Sequence, residues 1–253
     1  MQLHFKDVWW TLLLLAIGSY LIGNVNFAIL ISRAKNRDIT KEGSGNPGTM
    51  NMSRTFGLKI GVFTFVLDVL KGLLPALVGR LVFRDMFFGD STLEVSIMAQ
   101  YVAGFFAVLG HIFPVSLNFK GGKGIATTIG VFLVTETWVT LIFLVIAFAY
   151  ILITAMGSMG SFIATTPPAI AGLIDLYILG FEKEPTFAYG TAFFVVTMFL
   201  IVGIITLTWY AHRKNIKRLL AGEEHETGWL DLLYEKRMKK IAKKVALKEK
   251  KDN

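Results

Sequence analysis

The sequence predicts an all-α integral membrane protein of seven transmembrane helices, one of them short, with glycine-rich loops on the cytoplasmic side. Three observations predict it. The 253-residue chain is 54% hydrophobic and carries 21 phenylalanines, more apolar surface than a soluble domain of this length can hide. Its apolar residues fall into long stretches, most of them near the roughly 20 residues a helix needs to cross a bilayer. Its basic residues gather in alternate connections, as cytoplasmic loops do. There is no cysteine, which excludes a disulfide framework, thiolate chemistry and a Cys-based zinc site. The net charge of +8 is dominated by lysines near the C-terminus. In a membrane protein that charge reports orientation and lipid contact rather than nucleic acid.

The first span, residues 8–32, is followed by further spans and lacks a small-residue cleavage site, so it reads as retained rather than as a signal peptide. Gly18 and Gly23 are expected to break it, with Asn24 and Asn26 near its end. Residues 33–54 are polar. The second span is 58–83, and 84–94 form a short loop of mixed charge. The third span, 95–117, ends at a glycine turn. Residues 125–134 are apolar but only about a third to a half of a normal crossing, and make the short fourth span. Residues 138–156 are the fifth. The sixth, 157–179, is expected to be interrupted by Pro167 and Pro168, and the seventh is 187–210. Irregular backbone at membrane depth requires a covering of protein or a wet cavity. The turns at 121–123 and 157–160 are therefore candidates to line one.

Seven spans put the termini on opposite sides. Arg33, Lys35, Arg37, Lys41, Arg54, Lys59, Lys120, Lys123 and everything after Tyr210 fall on one side. The other side has fewer cations, offset by acids such as Asp85, Asp90, Glu94 and Glu136. The positive-inside rule then puts the N-terminus outside and the C-terminus in the cytoplasm. Two units follow: a membrane domain at 1–223 and a basic tail at 224–253. The tail alternates an apolar stripe with lysines, the pattern either of a helix on an anionic lipid surface or of one docked on the rest of the protein.

Four stretches could carry chemistry. Residues 118–124 read N-F-K-G-G-K-G. Glycines let the backbone expose consecutive N–H groups, the following helix adds its N-terminal dipole, and Lys123 adds a full charge. This is a phosphate cradle, or an ordinary glycine turn with a lysine at the water boundary. Residues 43–54 read G-S-G-N-P-G-T-M-N-M-S-R. They offer the amides of Gly43 and Gly45, the Ser44 hydroxyl, Asn46, Asn51 and the Arg54 guanidinium, a bidentate partner for phosphate. The alternative is a flexible loop. Gly121, Gly122 and Gly124 complete the set of candidate phosphate-binding residues. In 212–223, His212 and Asn215 share a helical face at head-group level, and His is the side chain able to exchange protons near neutrality. Arg213, Lys214, Lys217 and Arg218 read as a positive-inside anchor. Ser158 and Ser161 sit in a glycine-containing turn, where serines commonly just cap helices. Asp68 and Lys71, three apart within a span, are expected to pair with each other, and His111 to pack or to serve a site. No metal-ligand signature and no Walker sequence is present.

Taken together and in order, these motifs resemble the bacterial acyl-phosphate:glycerol-3-phosphate acyltransferases. The resemblance rests on G-S-G-N-P-G-x-x-N-x-x-R at 43–54 and L-D-x-L-K-G at 67–72. It continues with G-H-x-x-P-x-x-x-x-F-K-G-G-K-G-x-A-T at 110–127 and H-R-x-N-I-x-R-L-L-x-G at 212–222. It covers nearly the whole chain up to about Glu223. It implies seven spans in the bacterial cell membrane, an outside N-terminus and a cytoplasmic active site. It implies acyl phosphate and glycerol 3-phosphate as substrates among membrane lipids, with no metal or cofactor and no nucleic acid. It implies functional roles for Ser44, Arg54, Lys123, Ser158, His212 and Asn215. The chain departs from the family pattern in places. Where the family reads R-Y-V before its serine, this chain has Ala155, Met156 and Gly157 before Ser158. Thr49–Met50 stands for Ala-Thr, and Ala211 for an Arg. The departures leave open a paralogue with another acceptor. A transporter of phosphate esters or lipids is the non-enzymatic alternative, since broken helices also build transport sites.

Overall fold

A computed structural model describes residues 2–3, 5–88, 93–182 and 188–223, with Tyr234 and Met238 besides. The amphipathic tail expected over 227–251 lies outside the described residues, apart from those two. The described chain is helical, with a two-residue parallel pairing of β1 (Gln2–Leu3) with β2 (Phe87–Phe88). Among the described residues, six helical segments are long and apolar enough to cross a membrane, and the short apolar helix α6 (Ile125–Thr135) joins them. Their outward faces are apolar, with Leu14, Phe63, Leu81, Val145 and Phe199 all exposed. Such a belt is what lipid rather than water accepts.

The first span is two helices, α1 (Phe5–Asn24) and α2 (Phe27–Ala34). Gly18 and Gly23 do not break it; both lie inside α1. Gly23 instead packs α1 against the Ala107 carbonyl of the third span, where any Cβ would collide. The break falls at Val25–Asn26. The Asn26 side chain accepts a bond from Ile29 N–H at 3.0 Å and so starts α2. The interrupted ladder frees the Val25 carbonyl, and Lys71 of α4 (Leu58–Val82) donates to it at 2.7 Å. Lys71 also pairs with Asp68 at 2.9 Å, as the three-residue spacing predicts. A buried cation thus satisfies two groups that the membrane interior would otherwise penalise.

Helix α5 (Val95–Ile112) is the centre of the bundle, in contact with α1, α4, α6 and α9 (Ala188–Ala211). Its Val95, Ala99 and Val108 meet Phe132 of α6 and Ile201 and Ile204 of α9 in the main core. Short α6 is buried almost all round and runs beside α4. Gly130 sits on the Val69 carbonyl and Gly72 on the Thr127 carbonyl. Small residues at both crossings let the backbones approach closely. Glu136 alone links α6 to α7 (Thr137–Thr154), and Tyr101 donates to it at 2.9 Å. Burial raises the Glu136 carboxyl to about 7, with the Asp175 charge adding to the rise and the Tyr101 bond opposing it.

Pro167 and Pro168 do not interrupt the sixth span. Helix α8 runs unbroken from Gly157 to Glu182 with both inside. Each proline removes one helical N–H, leaving the Ile163 and Ala164 carbonyls without their usual donors. The helix persists because proline already has a helical φ and neighbouring helices hold the segment. The 157–160 stretch is the first turn of α8 rather than a loop. The reversal before it is made at Ala155, which adopts φ 57°.

The polar stretch after α2 is also folded. A 3-10 turn at Ile39–Lys41 and helix α3 (Thr49–Phe56) flank the 43–48 loop. Ile39 and Met52 are fully buried against Ala28 and Ile29, giving this segment a small core of its own. The last described helix, α10 (Arg213–Leu220), follows α9 directly through His212.

Candidate active site

One cavity of about 530 Å³ collects most of the sequence-predicted residues. Ser44, Asn46, Asn51 and Arg54 reach it from the 43–54 segment, Lys123 and Gly124 from the glycine turn, Ser158 from α8, and His212 and Asn215 from the α9–α10 junction. Below these polar groups the walls are apolar. They are Val62 and Phe65 of α4, Ile129 of α6, and Leu144, Phe148 and Ile151 of α7. Val62, Val145 and Phe148 are about half exposed or more, at 49%, 70% and 50%, so the groove opens sideways between α4 and α7.

The loop holding Ser44 is built by Asn51. Its Oδ1 accepts from the Ser44 N–H at 3.0 Å, and its Nδ2 donates to the carbonyls of Glu42 at 2.9 Å and Ile39 at 3.3 Å. Asn51 is thus engaged as an internal staple, and the Ser44 amide is spent on it. This corrects the expectation that Asn51 serves as a phosphate donor. Gly43 and Gly45 do not line the cavity. They have φ of 55° and 68°, which the reversal requires and glycine adopts without strain.

The glycine turn needs a similar correction. Gly121 N–H donates to the Ile112 carbonyl at 3.1 Å and Gly122 N–H to the His111 carbonyl at 3.2 Å. These two amides close the end of α5 instead of facing an anion. Gly122 is glycine because the His111 ring lies where a Cβ would be. The turn therefore acts by aiming Lys123 and the first turn of α6 at the cavity. Lys123 is close enough to His212 for its charge to be felt there. Asp68 and His111 also line the floor, with His111 Nδ1 3.9 Å from Asp68 Oδ1.

On the opposite wall, Asn215 Nδ2 donates to Ser158 Oγ at 2.7 Å. His212 is buried, and its Nδ1 lies 2.9 Å from the Thr208 carbonyl. A carbonyl can only accept, so Nδ1 carries the hydrogen and Nε2 keeps the lone pair. Burial pushes the His212 imidazole down to about 4. The Lys123 charge pushes the same way, and the Thr208 bond opposes both. His212 is therefore neutral near pH 7. Sequence reasoning missed Arg218, which lines the cavity one turn beyond Asn215. The 212, 215, 218 spacing was the available signal, since residues three apart share a helical face. Among the described residues, no group of three or more His, Cys, Asp or Glu side chains gathers to hold a metal ion.

A polytopic helical bundle with cations, amides and a neutral histidine at the head of a lipid-open groove defines a membrane protein that handles an anionic lipid. The comparisons narrow that class. Residues 13–222 match the family model described as glycerol-3-phosphate acyltransferase. The glycerol-3-phosphate acyltransferase of Finegoldia magna is 38% identical over 218 residues, covering 86% of this chain and 96% of that one. That of Agrobacterium fabrum is 37% identical, covering 86% and 92%. The crystal structure of PlsY (YgiH), an integral membrane glycerol 3-phosphate acyltransferase in its glycerol 3-phosphate form, matches with a TM-score of 0.69 and 34% identity. It covers 88% of this chain and 99% of that one. Its lysophosphatidic acid form matches with a TM-score of 0.68. The chain belongs to the glycerol-3-phosphate acyltransferase family.

Proposed function

We propose that this membrane acyltransferase moves a fatty acyl group from acyl phosphate to the 1-hydroxyl of glycerol 3-phosphate, giving lysophosphatidic acid and inorganic phosphate for phospholipid synthesis. The observation that carries the reading is the single cavity in which Arg54, Lys123, Ser158, His212 and Asn215 stand at the head of an apolar groove open to lipid. The acyl chain lies in the groove and its phosphate at Arg54, Lys123 and Ser44. Glycerol 3-phosphate enters from the cytoplasm. The cytoplasmic assignment rests on Arg33, Lys35, Arg37, Lys59 and the basic α10, all at the cavity's end of the bundle.

Acyl phosphate is a mixed anhydride and is already activated. The acceptor hydroxyl, oriented by the Nε2 lone pair of His212, attacks the carbonyl carbon. The new ester C–O bond forms, the bond between the carbonyl carbon and the bridging oxygen breaks so that this oxygen leaves with the phosphate, and the leaving phosphate takes the hydroxyl proton. A histidine whose conjugate acid sits at about 4 is a weak base, which suits orienting the hydroxyl better than holding its proton. The Asn215–Ser158 pair fixes the acceptor's place. Lys123 and Arg54 stabilise the charge that builds on the leaving phosphate. Alignment and fixed charge then supply most of the acceleration.

The test is phosphate release by the purified, detergent-solubilised protein supplied with palmitoyl phosphate, with and without glycerol 3-phosphate. The expected result is release that depends on the acceptor, with lysophosphatidic acid formed in step. Lys123→Ala should lose activity by orders of magnitude while staying folded. Release independent of the acceptor, or full activity in Lys123→Ala, would sink the reading.

A further inference from the structure

The apolar part of the cavity is short, and the helices that line it give its depth. On α8 the polar head is marked by Ser158, and the lining residue furthest from it is Ala164. At 1.5 Å per residue the step between them is about 9 Å. On α6 the step from Gly124 to Ile129 is about 8 Å, and on α7 the wall from Ile151 to Leu144 is about 10 Å. Below that level the space is closed. Ile129, Ala147 and Ala164 are buried and meet in one apolar cluster. Val69 of α4 and Leu133 of α6 pack into the same cluster without lining the cavity, so they fill the room beneath it. The side is different. Helix α4 packs chiefly on α5 and α6, and α7 chiefly on α8. Between α4 and α7 the lining residues Val62, Val145 and Phe148 are exposed, in a belt whose surroundings are lipid.

An extended hydrocarbon chain advances about 1.25 Å per carbon, the projection of a bond of about 1.5 Å. A recess of about 8–10 Å therefore holds about six to eight carbons, whereas a sixteen-carbon chain is about 19 Å long. The remainder cannot continue downward and leaves sideways between α4 and α7. The two portions of the chain meet different surroundings. Carbons in the recess touch fixed side chains at protein density, where one extra methyl overfills the space. Carbons beyond it lie among lipid tails, which are as apolar as leucine, so their number changes nothing.

We propose that the enzyme reads the shape of only the first six to eight or so carbons of the acyl chain, that it is indifferent to chain length beyond them, and that Ile129 sets the boundary. This rests on the acyl-transfer reading above and names which acyl phosphates that reaction takes. Ile129 suits the part because its backbone cannot yield. It lies on the buried helix α6, next to Gly130, which sits directly on the Val69 carbonyl of α4. Its side chain is therefore a fixed floor, and Ala147 and Ala164 beside it are small enough to leave the recess open above.

The experiment uses the full chain reconstituted in phosphatidylcholine vesicles, with glycerol 3-phosphate as acceptor and one ratio of acyl phosphate to lipid throughout. Values of kcat/KM are compared for decanoyl, palmitoyl and stearoyl phosphate, and for palmitoyl phosphate carrying a methyl branch at carbon 6 or at carbon 14. Displacement of labelled hexadecyl phosphate, which has no acyl group to transfer, is measured with its 6-methyl and 14-methyl isomers. The three unbranched chains should agree within about twofold. The 6-methyl branch should lower kcat/KM on the order of tenfold and the 14-methyl branch should not, with the KM for glycerol 3-phosphate unchanged by either. Ile129→Ala should remove most of the 6-methyl penalty. An optimum at one chain length, or equal effects of the two branches, would overturn the proposal. So would a 6-methyl penalty that persists in an Ile129→Ala variant still able to turn over palmitoyl phosphate. A wild type that forms no lysophosphatidic acid from any of these substrates overturns the acyl-transfer reading instead. Displacement still decides for the recess in that case: weaker displacement by the 6-methyl isomer alone supports it, and equal displacement by the two isomers overturns it.

Discussion

Acidification offers a direct test of the electrostatics at His212. An ordinary histidine titrates near 6.5, whereas burial and the Lys123 charge put His212 at about 4. At pH 5.5 an ordinary histidine is about 90% protonated, and one at about 4 is about 3% protonated. The measurement is a histidine 13C NMR titration of the detergent-solubilised protein from pH 8 to 5, with His212→Gln identifying the signal. The expected result is a His212 resonance that stays at its neutral position throughout. Lys123→Met should move the midpoint up, because it removes a like charge and leaves the burial in place. The same shift sets a stability trend. Folded His212 binds a proton less readily than the unfolded chain does, so its contribution is whole above 6.5 and is lost as pH falls towards 4. At 1.36 kcal/mol per pH unit the full loss is about 3 kcal/mol. A His212 midpoint near 6.5 would refute the account in which burial and the Lys123 charge hold the imidazole down.

Three further outcomes are expected. Lys71→Met should destabilise the protein by about 3–5 kcal/mol, since it strands Asp68 in the interior and takes the donor from the Val25 carbonyl. The Asp68→Asn/Lys71→Met double variant should recover part of that melting temperature, and an unchanged Lys71→Met would show that the pair is idle. Glu136 carries the opposite pH signature to His212. Its carboxyl is raised from 4.5 to about 7, so its stabilisation is full below pH 4.5 and is lost as pH rises through 7. Glu136→Gln should flatten the melting-temperature profile over that range, and a profile identical to wild type would exclude the effect. Finally, Ser158→Ala and Asn215→Ala should each lower kcat/KM for the acceptor. The double variant should lose less than the sum, by about 0.5–3 kcal/mol of coupling; strict additivity would mean that the 2.7 Å bond does not position the substrate.

The membrane architecture was legible because lipid imposes a simple rule: apolar runs of a given length must be helices. The cavity's membership was legible in large part because its residues sit in compact polar motifs between those runs. What escaped was the direction of individual groups. Asn51 and the Gly121 and Gly122 amides looked like anion donors, but local carbonyls and the Ser44 N–H claim them first, and no spacing rule reveals that competition. Gly18 and Gly23 looked like breaks, yet both lie inside α1, and Gly23 is a glycine because the third span crosses closely there. The two prolines of α8 were misjudged for a related reason, since the bundle tolerates the lost bonds. Arg218 hid among three anchoring cations. Composition counts charges but does not say which one turns inward.

The sideways opening of the groove between α4 and α7 has a kinetic consequence. One substrate is delivered by diffusion in a plane and the other by diffusion in a volume. In the proposed reaction the rate therefore follows the mole fraction of acyl phosphate among the surrounding lipids, not its amount per millilitre. Diluting it with inert lipid slows the enzyme at constant total concentration, while glycerol 3-phosphate behaves as an ordinary soluble reactant. A single-chain product leaves by the same side door, into the leaflet where the next lipid-modifying step can meet it without ever crossing water.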